Sequence, residues 1–138
     1  MNEIAWVIAC LILSLPAGFK QTANSKETSP LLNIPGARAT ETYAAWEGSE
    51  GKSVHVFWWD PSPPRDGGPI VAEREWDETV AGETARVIET KMFFGQPQRV
   101  LVTHLHPKGC RGVGMVYAQG MSQEEFSRVL AKIQLKKK

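Results

Sequence analysis

The chain has 138 residues, 42% apolar and 22% charged, with a net charge of +1. These values exclude a disordered or fibrous polymer and make one domain the natural count. The charge balance lacks the basic footprint that phosphate neutralisation requires, so no nucleic-acid partner is expected.

Ile4 to Phe19 is nearly continuous apolar sequence. It is shorter than the roughly 20 residues of a membrane span and close in length to a signal-peptide core. Pro16 and Gly18 end the run, and small residues suit a cut after Gly18 or after Ser25. The expectation is a secretory signal peptide. The positions before the run hold no Lys or Arg and Lys20 follows it, which by the positive-inside rule also fits an uncleaved anchor with its domain in the cytoplasm. A buried helix of the domain itself is the third reading. Residues 1–25 are therefore assigned to a signal peptide or N-terminal membrane anchor, and 26–138 to a single domain. The compartment is then periplasmic, secreted or envelope-associated, with membrane contact only through the N-terminal segment. Cys10 and Cys110 are the only cysteines. Removal of the leader isolates Cys110, so no intramolecular disulfide is expected.

Lys26 to Ala37 reads as an irregular lead-in, broken by Pro30, Pro35 and Gly36. Thr40–Trp46 and Val54–Trp59 read as strands joined by the Gly48–Gly51 turn, together a hairpin. The prolines and glycines from Asp60 to Pro69 make a surface loop. A short strand is expected around Val71–Trp76, then a turn at Val80–Glu83 into a half-buried strand, Thr84–Phe94. On that strand Ile88, Met92 and Phe94 are expected to share a face. Arg99–His106 and Val113–Ala118 complete a meander. Ser122 with Glu125 forms a capping box, and Met121 with Phe126 occupies staple positions. Phe126, Val129, Leu130 and Ile133 recur at helical spacing, so an amphipathic helix closes the chain. The tail Lys136–Lys138 suits a helix C-terminus. The expected class is α+β: an antiparallel meander sheet of about five strands with a C-terminal helix packed on one face.

His104 and His106 alternate on one strand, about 7 Å apart. With Cys110 four residues on, and His55 from another strand, they form a ligand set that zinc or copper accepts. A Cys110–His106 pair also suits thiol chemistry if the turn folds back. No nucleophile elbow, phosphate-cradling loop or His-Glu-x-x-His helix is present, so no catalytic residues are assigned. Trp58 and Trp59 place one indole on each face of their strand. With Arg65 of the adjoining loop they form the candidate ligand or partner surface.

The order Val80-Ala81-Gly82-Glu83-Thr84-Ala85-Arg86, two strands, then Ser122-Gln123-Glu124-Glu125-Phe126 opening a terminal helix, resembles small exported domains of the PsbP/Mog1-like type over about Glu75–Leu135. The resemblance implies an antiparallel meander backed by a helix, and binding rather than catalysis; it carries no site residues. The leading expectation is a non-catalytic exported or envelope-associated domain, without a cofactor, that binds a partner protein or small ligand. The alternatives are a zinc- or copper-binding protein and a thiol-dependent enzyme.

Overall fold

Apolar side chains that alternate along strands, rather than a long helical stripe, organise this chain. The structure is a computed structural model that describes residues 3–30, 38–60, 71–93 and 95–136. In chain order the strands are β1 (Glu3–Ile8), β2 (Leu11–Pro16), β3 (Lys20–Pro30), β4 (Arg38–Glu47), β5 (Ser53–Asp60), β6 (Arg74–Val80), β7 (Glu83–Phe93), β8 (Gln96–Leu105) and β9 (Val113–Gln119). Helix α1 (Gln123–Ala131) and the short β10 (Gln134–Leu135) follow. Strands β1, β2 and β10 make a three-stranded sheet, and the other seven form a sheet in the order β3-β4-β5-β9-β8-β7-β6.

The expected α+β class with five strands is therefore wrong. The chain is mostly β, 66% strand against 8% helix. Two misreadings account for the difference. The apolar run expected to lead the chain forms β1 and β2. On β2, Leu11, Leu13 and Leu15 are buried in turn while Ile12 and Ser14 are half-buried, so the strand is nearly apolar on both sides and carries the hydropathy of a helix. The segment from Lys20 to Pro30 contains the start of the supposed irregular lead-in. It is an edge strand, polar but for Ala23 and Pro30, and so shows no apolar alternation to read.

The expected meander from β6 to β9 is present, as is the β4–β5 hairpin. The two halves join because β9 returns to pair antiparallel with β5. At the β6–β7 turn, Ala81 and Gly82 both have positive φ, at 51° and 83°, as a two-residue hairpin loop of matching twist requires. A β-bulge between Thr90 and Met92 shifts the register of β7. Met92 is consequently 52% exposed while Phe93 is buried, which breaks the shared face expected of Ile88 and Met92. Phe94, residues 31–37, the proline loop from 61 to 69, Lys137 and Lys138 lie outside the described residues.

Helix α1 begins as the sequence indicates. Ser122 Oγ accepts from the Glu125 amide and the Glu125 carboxylate accepts from the Ser122 amide, both at 3.2 Å. Its buried Phe126, Val129 and Leu130, with Ile133 beyond its end, join the β2 leucines on one face of the larger sheet. There they meet Trp46, Val54, Val56 and Trp58. Gly114 lies under the Trp58 indole, where a Cβ would come within 2.2 Å of the ring.

The expectation of an isolated Cys110 also fails, because Cys10 belongs to the folded body. A disulfide joins Cys10, in the β1–β2 turn, to Cys110, in the β8–β9 connection, with Cα atoms 6.2 Å apart. It is compatible with an oxidising, non-cytoplasmic location. No helix among the described residues is long and apolar enough to cross a membrane.

Two outcomes check this architecture. A chain starting at Phe19 lacks β1, β2 and Cys10, and is expected to lose near-UV circular dichroism and cooperative urea unfolding; a transition equal to that of the whole chain would contradict the layering. Cys110→Ser opens a loop with a sequence separation of 100. It is expected to lower unfolding free energy by about 4 kcal/mol, read from the urea midpoint.

Candidate functional site

The opposite face of the seven-stranded sheet carries a second cluster, built from sheet residues alone: Phe93, Val100, Val102, Met115 and Tyr117, with Phe57, Trp59 and Ile88 partly buried against them. Register explains how they meet. Across β4, β5, β9 and β8, one row reads Tyr43, Phe57, Met115, His104. The next row reads Ala45, His55, Tyr117, Val102, and Ser53 faces Gln119 beyond it. Glu41 pairs with Trp59 on the other side.

Stacking follows from these rows. The Phe57 and Trp59 rings are parallel to within 2° at 5.4 Å, and Tyr43 leans on Phe57 at 4.5 Å. His55 lies flat on Tyr117 at 4.3 Å, and Phe93, turned inward by the β7 bulge, tilts onto Tyr117 at 4.8 Å. Such ring pairs add about 0.5–1.5 kcal/mol each beyond area burial. The Trp59 indole N–H donates to Glu41 at 3.1 Å. Tyr43, His55, Phe57 and Trp59 remain half-buried, so the β4–β5 end of the face is open to contact.

A directed chain of hydrogen bonds runs through this cluster. Gln98 Nε2 donates to the Phe93 carbonyl at 2.9 Å, which leaves Gln98 Oε1 to accept from Gln119 Nε2. Gln119 Oε1 then accepts from the Ser53 hydroxyl at 3.3 Å. With its proton committed, Ser53 Oγ accepts from His55 Nε2 at 2.9 Å. His55 Nδ1 must then accept from the Tyr43 hydroxyl, also at 2.9 Å, and Tyr43 in turn is hydrogen-bonded to Tyr117. The backbone carbonyl thus sets the imidazole tautomer. Burial lowers the His55 pKa from 6.5 to about 4, and burial, then Tyr43, pushes the Tyr117 phenol above its ordinary value. Both groups are neutral at pH 7.

This arrangement argues against a serine nucleophile. A His base must accept the hydroxyl proton, whereas His55 Nε2 donates to Ser53. Neutral, wired and aromatic, the cluster suits recognition better than proton transfer.

The sequence-chosen residues are dispersed. Trp59 lies on this face. Trp58 is only 3% exposed, on the opposite face, with its indole N–H donating to the Arg111 carbonyl at 2.9 Å. Arg65 lies outside the described residues. His104 is exposed at the end of the first row, and His106 lies beyond the end of β8. Sheet spacing separates His55 from His104 by about 12 Å, too far to share a metal. Cys110, held in its disulfide, supplies neither a thiolate ligand nor a nucleophile. Among the described residues no group of three or more His, Cys, Asp or Glu is placed to hold a metal ion. Sequence reasoning missed Tyr43, Phe57 and Tyr117. Alternation along Val54–Trp59 already grouped His55, Phe57 and Trp59, but the β5–β9 pairing that adds Tyr117 leaves no local signal. Comparison with protein-family models, curated proteins and solved structures gives no match.

The His55 environment fixes a pH dependence. Its folded pKa is below the ordinary value, so its contribution to stability is complete above pH 6.5 and is lost as pH falls towards 4. Allowing for partial exposure, the loss is about 2 kcal/mol. Urea unfolding at pH 7.5 and pH 5 is expected to show most of this decline in the wild type and little in His55→Gln. An equal decline in both proteins would assign it to other groups.

Proposed function

We propose that this chain is a non-catalytic binding domain, exported or envelope-associated, that takes a partner protein or small ligand on the aromatic face of its larger sheet. One observation carries the reading. The half-buried rings of Tyr43, Phe57 and Trp59 lie on a sheet face whose apolar cluster contains, among the described residues, no member from β1, β2, β10 or α1. The other face receives all the cover from that layer. A partly uncovered aromatic patch with polar groups at its rim is the form that interaction sites take on soluble domains. Glu41 and His104 supply that rim. The preset tautomer of His55 and the stacked rings are held in place before any ligand arrives, which limits the entropy lost on binding. The disulfide supports placement in an oxidising compartment.

A photoreactive p-benzoylphenylalanine in place of Phe57, in protein produced in its native cells, tests the reading. Irradiation is expected to give one discrete adduct, seen as a larger band or as a defined mass increase. Excess wild-type protein should compete it away, and excess Trp59→Ala should not. The same probe at Glu75, exposed on the far edge strand, should give none. No adduct at position 57, or an equal one at 75, would end the proposal.

A further inference from the structure

On the opposite face from the rings, towards the ends of β4 and β5 nearest the disulfide, the sheet floors a cavity of about 490 Å³. That volume lies within the range of small-molecule sites. Register sets Lys26, Thr42 and Trp58 side by side across β3, β4 and β5, with Thr40 beside Asp60 in the next row. The Cys10–Cys110 disulfide forms part of the wall, and Arg111 enters from the β8–β9 connection and Lys136 from the segment after β10. The Lys136 amide donates to the Cys10 carbonyl at 2.7 Å.

The charges around this cavity do not balance. Three cations, Lys26, Arg111 and Lys136, share it with one carboxylate, Asp60. Asp60 already pairs with Arg111 at 3.7 Å. Among the described residues neither Lys26 nor Lys136 has a carboxylate within ion-pair distance, and the Thr42 hydroxyl has no hydrogen-bond partner. Among the described residues, segments far apart in sequence thus bring two ammonium groups without a carboxylate partner and an unpartnered hydroxyl to one concavity, an arrangement that attracts an anion.

We propose that this cavity binds a small polyvalent oxyanion, a phosphate ester or a polycarboxylate, and that the disulfide keeps the site assembled. The Lys26 and Lys136 ammonium groups hold the anion, Thr42 donates a hydroxyl hydrogen bond, and Arg111 stays paired with Asp60. The site stands apart from the aromatic face, so neither depends on the other.

The test titrates the intact, oxidised chain with inorganic phosphate and, separately, with citrate at fixed chloride, following the Trp58 indole N–H by NMR. A saturable shift is expected with at least one anion. Tighter phosphate binding indicates a phosphate ester as the physiological ligand, and tighter citrate binding a polycarboxylate. The Lys26→Gln/Lys136→Gln pair, both exposed and clear of the core, is expected to weaken the better anion at least tenfold. Lys91→Gln, on β7 away from the cavity, should leave it unchanged. Dithiothreitol is expected to weaken binding at least fivefold while the lysine variants report on protein that keeps its disulfide. No saturable shift with either anion, or less than a threefold loss in the double variant, would overturn the proposal.

Discussion

Leu11, Leu13 and Leu15 of β2 lie against the inner face of the seven-stranded sheet, and the rest of the structure depends on that contact. Burial of one such side chain contributes about 1.5–3 kcal/mol. An isolated two-stranded hairpin is marginal in water, so β1 and β2 persist because the sheet beneath accepts their leucines. The dependence runs both ways. The nine residues of α1 are too few to cover Trp46, Val54, Val56 and Trp58 alone. With β2 beside the helix, that face of the sheet becomes a dry core, and the disulfide fastens the hairpin tip to the β8–β9 connection.

The second face is organised by polar rather than apolar constraint. Its hydrogen bonds begin at a backbone carbonyl, that of Phe93, whose position comes from the β7 bulge. Thr90 stabilises the bulge, donating to the Met92 carbonyl at 3.1 Å and accepting from its amide at 3.3 Å. A backbone irregularity on β7 thereby sets the proton positions of His55, on a strand three places away in the sheet. Each polar group in between has one donor and one acceptor engaged, which is the condition for burying such groups without large cost.

Local signals were legible where the chemistry is local. The Ser122–Glu125 box, the burial expected of Phe126, the Val80–Glu83 turn and the alternation of β5 all appear in the structure as the residues indicate. The N-terminal run was not legible, since a short strand apolar on both sides and a signal-peptide core have the same hydropathy. That single ambiguity propagated: removing the run also removed Cys10, and with it the disulfide. Tyr43 and Tyr117 are separated by 74 positions (117 − 43), and only the strand order brings them to the same imidazole. Likewise Lys26 and Lys136 have nothing in common until the fold is known.

Strand β5 serves both faces at once: Val54, Val56 and Trp58 point into the dry core, and His55, Phe57 and Trp59 into the aromatic surface. A slip of one residue in its pairing would send imidazole and Phe57 inward and strand Trp58 outside, exchanging the two environments together. The register irregularities fall in the β3–β4 and β7–β8 pairs, and the β4–β5 and β5–β9 ladders run without a break. A single insertion within Ser53–Asp60 would therefore exchange the environments of every residue of the strand beyond it.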